Sequence, residues 1–289
     1  MSEAEDLPAF SDQPDRIRVA QRAEWAPVAP HWRTPDLSGQ PPPIHRRLIE
    51  LAEVQLGQRA VDLACGTGSA ALLQQLGPEG SLLGLDLSPE MVAIAAQWAH
   101  MQRLPRATFR AITAETDLEL PPASFDVATC IFGLMFMPEK VAALRSLREA
   151  LVPGGRVAVC SWSTPDRCGF LEVPRQVVRR HVAHPKLDLV GPHPFALPTP
   201  RALEELLAVA GFTAIQTEIM RRPAEPSTPE RYWESMVTTG WPLAFLPAQP
   251  PTTLQAIRDD LIGTLSALFP DGQVQLDGEA ILAVASRPL

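Results

Sequence analysis

The sequence predicts a doubly wound α/β protein with a mostly parallel, seven-stranded sheet. Three observations carry this. Short apolar runs alternate with helical periodicity between Arg59 and Trp162. The first run enters a glycine turn, Val61 to Ala71 (VDLACGTGSAA). A second run ends on Asp86, eighteen positions after Gly68. Short buried strands separated by helices specify a parallel sheet covered on both faces. A glycine turn between strand and helix lets backbone approach a ligand, and a carboxylate closing the next strand accepts hydrogen bonds from a ribose diol.

The elements follow in order. The first twelve residues are polar and expected to be loose, and residues 14–30 read as a helix with Trp25 and Val28 on one side. PDLSGQPPP at 35–43 is a proline-rich connector, and a helix from Ile44 to Val54 precedes the first strand, Arg59 to Leu63. After Asp86, Ser88 suits an N-cap and Pro89 the first helical position; Met91, Ile94, Ala95 and Trp98 then repeat at helical spacing. Strands follow at Thr108 to Ile112 and at FDVATCIF, ending near Phe132. A helix opened by Pro138 buries Val141, Leu144, Leu147 and Leu151, and LVPGG turns into a fifth strand, Arg156 to Trp162. A helix at Pro200 to Ala210 and strands at Thr213 to Met220 and Ala280 to Ser286 complete the count.

Two proline-rich stretches interrupt the alternation, one after the fifth strand and one between the last two. Long insertions on an α/β scaffold commonly cover the active site. The expected organisation is an N-terminal lid and linker at 1–43, a core at 44–162, 199–221 and 278–289, and substrate caps of helix and loop at 163–198 and 222–277. No internal repeat is present.

Composition narrows the partners. A net charge of −8 and a pI near 5.3 argue against nucleic acid, which requires a concentrated basic face. The arginines at 175–180 and 221–222 read as a solvated helix face and a strand end. The four cysteines show no CxxC pairing, and no apolar run approaches a membrane span. The acidic N-terminus lacks a signal-peptide layout. A cytoplasmic protein with a small-molecule partner is expected; the sequence is compatible with a homodimer.

Four ordered segments carry a family resemblance. VDLACGTG resembles the first motif of class I S-adenosylmethionine-dependent methyltransferases, and LDLSPEM their second. TAETDLELPPASFDVATCIFG resembles their adenine loop and fourth strand, and LREALVPGGRVAVCSW their turn into the fifth. The likeness covers residues 44–162 and resumes at 199–220 and 279–286. FGLMFMPEKVAALRSLREALVPGG looks most like the ubiquinone and menaquinone C-methyltransferases (the type 11 group), but Met135 and Phe136 stand where those enzymes usually carry Arg and Asn.

The resemblance implies a Rossmann-like core and S-adenosyl-L-methionine as cofactor. Asp62 would orient the methionine end, directly or through water. Ala64, Cys65, Gly66 and Gly68 form the turn beneath methionine and ribose, beside a helix N-terminus that favours the cofactor carboxylate. Asp86 would take both ribose hydroxyls, with Leu87 and Met91 on the adenine face. Ala114 and Glu115 would meet the adenine edge, where the family often has Asp at the position of Thr113. Cys130 and Phe132 close the fourth strand, and Trp25, Trp32 and Phe132 offer aromatic faces to a sulfonium. Core packing alone also explains Leu87, Met91 and the tryptophans.

GTGSAA also satisfies G-x-G-x-x-A, so an NAD(P)-dependent oxidoreductase is an alternative. Against it stand the charge of Asp62 beside a pyrophosphate, the long segment before the turn, and the LVPGG turn. A non-catalytic S-adenosylmethionine-binding protein is the other alternative.

Methyl transfer is an in-line displacement that mainly needs alignment and exclusion of water; a base serves only poorly acidic acceptors. CIFG is neither the Asn/Asp-Pro-Pro-Tyr motif of amino-group methylation nor a catechol-type magnesium site. No metal is indicated, and HVAH lacks a third ligand. Candidates for a base are His181, His184 and His193, with His31 behind them; Tyr232, the only tyrosine, is a candidate orienting hydroxyl. The aromatic make-up of residues 232–245 (Tyr232, Trp233, Trp241, Phe245) suggests a hydrophobic acceptor.

Overall fold

A computed structural model of the chain describes residues 14–32, 37–183, 188–189, 191–239 and 249–289. The first twelve residues, His184, Trp241 and Phe245 lie outside the described residues.

Among the described residues seven strands form one sheet: β1 (Arg59–Leu63), β2 (Ser81–Asp86), β3 (Ala107–Ala111), β4 (Phe125–Ile131), β5 (Leu151–Trp162), β6 (Thr213–Arg222) and β7 (Gly278–Ser286). Their order is β3-β2-β1-β4-β5-β7-β6. The first five are parallel, while β7 runs antiparallel between β5 and β6. The chain winds outward through β2 and β3, then returns to place β4 on the other side of β1. Ligands on such sheets bind beyond the carboxyl ends of the strands at this reversal, here between β1 and β4.

The helices are α1 (Pro14–Trp25), α2 (Pro43–Leu51), α3 (Ala70–Leu76), α4 (Pro89–Met101), α5 (Lys140–Ala150), α6 (Gly169–Arg179), α7 (Pro200–Val209), α8 (Pro229–Thr239) and α9 (Pro251–Leu268). Successive strand residues face opposite sides. Val61, Leu63, Val157 and Val159 pack with Leu144 and Leu147 of α5 and Leu203 and Leu207 of α7. Ala60, Leu82, Ala158 and Cys160 pack with α2, α3 and α4, where Trp98 is buried. Each buried leucine contributes about 1.5–3 kcal/mol. Ser88 caps α4 by accepting the Met91 N–H at 3.2 Å.

Some boundaries differ from those expected. The N-terminal helix ends at Trp25, and a short 3-10 turn covers Ala29–His31. Arg175 is buried rather than solvated, paired through its Nε to Glu172 at 2.6 Å. The interrupting stretches hold helices α6, α8 and α9 joined by loops, and Val177, Val178 and Val182 share one apolar cluster with Met236, Ile257, Leu261 and Leu265. The two insertions therefore pack together. The prolines of α9 fall at its start, where their missing N–H costs nothing.

Candidate cofactor and acceptor site

The β1 strand ends in three left-handed backbone positions, Ala64 (φ 63°), Gly66 (φ 55°) and Gly68 (φ 132°). Ala64 holds such a conformation despite its Cβ, and a Cβ on Gly133 would overlap it. The loops after β1 and β4 thus meet at van der Waals distance. Asp86 binds the turn directly: Oδ2 accepts the Gly66 N–H at 2.8 Å and Oδ1 the Ser88 N–H at 2.9 Å. Burial pushes this carboxyl above its ordinary range, against the pull of the Ser88, Gly66 and Leu87 amides. Each carboxylate oxygen has two lone-pair directions, so both retain acceptor capacity for a diol.

Asp62 is 4% exposed, and its two oxygens accept the hydroxyls of Thr129 (2.6 Å) and Ser69. Burial pushes it up to about 6, opposed by those hydroxyls and aided by the charge of Asp86. It braces the turn against β4 and α3. The Cys65 thiol tucks under the turn toward Gly84, and its backbone N–H donates to the Leu85 carbonyl at 3.0 Å. Gly66 lies against Trp32: a Cβ there would sit 3.6 Å from the indole Nε1. Trp32 packs edge-on to Trp25 at 5.5 Å, and Trp25 to Phe136 at 5.7 Å.

Several side chains expected at the cofactor are used otherwise. Cys130 is wholly buried in the core, so its thiol offers a ligand nothing. Met91, 3% exposed, packs under Val28 and Ala29. Glu115 does not present its carboxylate to an adenine edge; Arg18 takes it at 2.8 and 3.0 Å, and the Glu139 N–H at 2.9 Å. Burial pushes the Glu115 carboxyl up, but those donors outweigh it and hold it below its ordinary value. Leu87 and Ala114 stay half-buried on the two lips of the space beyond β2 and β3.

The same rim carries an aromatic row. Phe132 (φ 56°) stacks on Trp162 with ring centroids 4.1 Å apart, and Trp162 meets Phe170 edge-on at 4.9 Å. Arg222 lies over Phe170 at 4.5 Å. All four are half-buried, and they run along the carboxyl-end rim from β4 to β6. Trp162 and Phe170 were not singled out from sequence, although Trp162 closes a parallel strand at the ligand-binding edge.

The base candidates separate. His181 Nε2 pairs with Asp260 at 2.8 Å, joining α6 to α9. His31 is exposed at the end of the N-terminal segment. Tyr232 is not free to orient an acceptor: its hydroxyl donates to the Phe170 carbonyl at 2.7 Å, and burial pushes its pKa up. His193 accepts the Phe195 N–H at 3.1 Å, and Phe195 packs among Trp162 and Phe170. That places His193 beside the aromatic row. Among the described residues no group of three or more His, Cys, Asp or Glu gathers to hold a metal, and no helix is long and apolar enough to cross a membrane.

Fold and site together define a doubly wound protein whose ligand edge is built for a nucleoside-bearing cofactor. Residues 60–155 match the methyltransferase-domain family. The demethylmenaquinone methyltransferase of Thermus thermophilus is 33% identical over 181 residues, covering 58% of this chain and 80% of that protein. Nocamycin O-methyltransferase of Saccharothrix syringae is 26% identical over 253 residues, 80% of this chain and 86% of that protein. The crystal structure of the YcgJ protein from Bacillus subtilis has the same fold, with a TM-score of 0.58 at 17% identity over 85% of this chain and 98% of that one. The chain belongs to the S-adenosylmethionine-dependent methyltransferases of small-molecule type. The NAD(P) alternative falls with that membership.

Proposed function

We propose that this chain methylates a small, hydrophobic, ring-bearing metabolite on oxygen, in a space between the cofactor turn and the cap. The observation that carries this is the half-buried row Phe132–Trp162–Phe170, which begins one loop from the turn. Exposed aromatic faces at a site favour flat apolar ligands. The reach of the nocamycin O-methyltransferase match beyond the cofactor core supports an oxygen acceptor.

When bound, S-adenosylmethionine supplies an electrophilic methyl carbon on a sulfonium. The residues fit it: the left-handed turn admits close approach, Asp86 offers acceptors to a diol, and Gly66 and Gly68 leave room. Ala64, Cys65, Leu87 and Ala114 would line it through backbone and small side chains. Trp32 and Phe132 would face its cationic end from either side. Asp62 holds the turn in shape from below. The cap core around Tyr232 and Trp233 would exclude water, and His193 is the base candidate nearest the aromatic row.

The test incubates the protein with 13C-methyl cofactor and a metabolite extract, then records NMR spectra of the organic phase. New O-methyl resonances support the proposal. Label confined to carbon or nitrogen removes the oxygen assignment, and label only in water-soluble products removes the hydrophobic one. No transfer at all favours binding without catalysis.

A further inference from the structure

Helix α1 has its polarity inverted. Val19 is 66% exposed, whereas Arg18 and Gln21 are each 5% exposed. An amphipathic helix held by the hydrophobic effect turns its apolar stripe inward; this one is held by polar side chains. Together they reach three segments of the ligand rim. Arg22 donates to the Leu87 carbonyl after β2 at 3.1 Å and to the Ile112 carbonyl after β3 at 3.4 Å. Gln21 donates to the Phe136 carbonyl after β4. Arg18 grips Glu115, in the loop after β3, with two bonds, and also reaches Glu139 and Asp15. Three consecutive post-strand segments, those that flank the cofactor space, are thus tied by one helix.

We propose that α1 is a clasp over the cofactor, that Arg18 is a positioning residue acting through Glu115 on the adenine loop, and that opening of this clasp sets the rate of cofactor exchange. The inference rests on the cofactor reading of the turn at Ala64 to Gly68. Polar, hydrogen-bonded docking gives specific geometry without a large apolar surface to tear apart, so such a helix can leave and return as a unit. The apolar contacts at its end, Trp25 with Trp32 and Phe136, and Val28 with Met91, lie beyond the polar ties and serve as its hinge-side anchor.

The experiment measures association and dissociation rates of S-adenosylhomocysteine by stopped-flow tryptophan fluorescence on the full chain. Variants are Arg18→Ala, Arg18→Lys, Arg22→Gln and Val19→Ser. Removing one partner of a buried, hydrogen-bonded charge pair acts mainly on dissociation. Arg18→Ala and Arg22→Gln are expected to speed dissociation about tenfold or more, with association unchanged or faster. Arg18→Lys, which keeps the charge but loses the fork, falls between. Val19→Ser, on the outward face, matches wild type. A purely structural role would instead lower the binding-competent fraction and slow association; that result overturns the proposal, as does wild-type dissociation in both Arg18→Ala and Arg22→Gln. If Arg18→Ala does not fold, Arg22→Gln decides alone. Wild-type protein that fails to bind would sink the cofactor reading itself, separately from the clasp.

Discussion

Asp86→Asn tests the cofactor turn at its most informative atom. The carboxylate accepts the Gly66 N–H at 2.8 Å and the Ser88 N–H at 2.9 Å, and its remaining lone pairs are the acceptors offered to a ribose diol. A hydrogen bond to a charged group is worth roughly 1.5–3 kcal/mol, so two lost diol bonds amount to about 3–6 kcal/mol. Asparagine keeps one acceptor oxygen, which places the expected loss near the lower bound, about 100-fold in Kd. The apo protein suffers less. Burial already disfavours the charged form of Asp86, and the neutral amide escapes that penalty, which offsets part of the loss of one of the two bonds from Gly66 and Ser88, since the amide NH2 cannot accept. Calorimetric titration with S-adenosylhomocysteine, alongside a melting curve without ligand, separates the two effects. Binding within about threefold of wild type would refute the reasoning; so would weak binding that merely follows loss of the fold.

Asp62 has a folded pKa near 6 against an ordinary 3.8, so the folded state holds its proton more tightly and this group's contribution to stability falls as pH rises through that window. The deficit above the window is roughly 3 kcal/mol. Asp62→Asn should therefore melt above wild type near pH 7.5 and level with it near pH 4, and a constant offset between the two curves would exclude the mechanism. Ala64→Gly removes a left-handed alanine that costs about 1–2 kcal/mol, less the backbone entropy of glycine; differential scanning calorimetry should show a rise of about 1–2 °C. Trp162→Leu should raise the acceptor KM about tenfold while leaving the cofactor Kd within about twofold; a change confined to cofactor binding would move Trp162 out of the acceptor wall. Tyr232→Phe should cost about 1 kcal/mol of stability by orphaning the Phe170 carbonyl, and turnover should stay within about twofold of wild type. A large loss of turnover at full stability would restore Tyr232 as a candidate.

The fold was legible because its signals are local. Arg59 to Leu63 alternates between two apolar faces, Ser88 and Pro89 announce α4, and the turn before α3 needs left-handed backbone that glycine supplies. What the sequence hid depends on distance along the chain. Glu115 sits in the segment that matches an adenine loop, and nothing nearby shows that Arg18, 97 positions earlier, takes its carboxylate. Cys130 and Met91 stand in segments that match cofactor motifs, but strand and helix periodicity turns their side chains into the core. The two interrupting stretches carry a weaker signal. Pro229, Pro250 and Pro251 fall at helix starts and Pro174 lies within α6, while Pro192, Pro194, Pro198, Pro223, Pro226 and Pro270 stand outside helices, so proline there marks helix and loop alike. Trp162 and Phe170 meet only once α6 folds back against β7.

The central claim is that the turn from Ala64 to Gly68, closed by Asp86, holds S-adenosylmethionine. Isothermal titration of wild-type protein with S-adenosylhomocysteine and, separately, with NADH tests it most directly. The account predicts saturable one-to-one binding of the former and no saturable heat with the latter; the reverse pattern would contradict it.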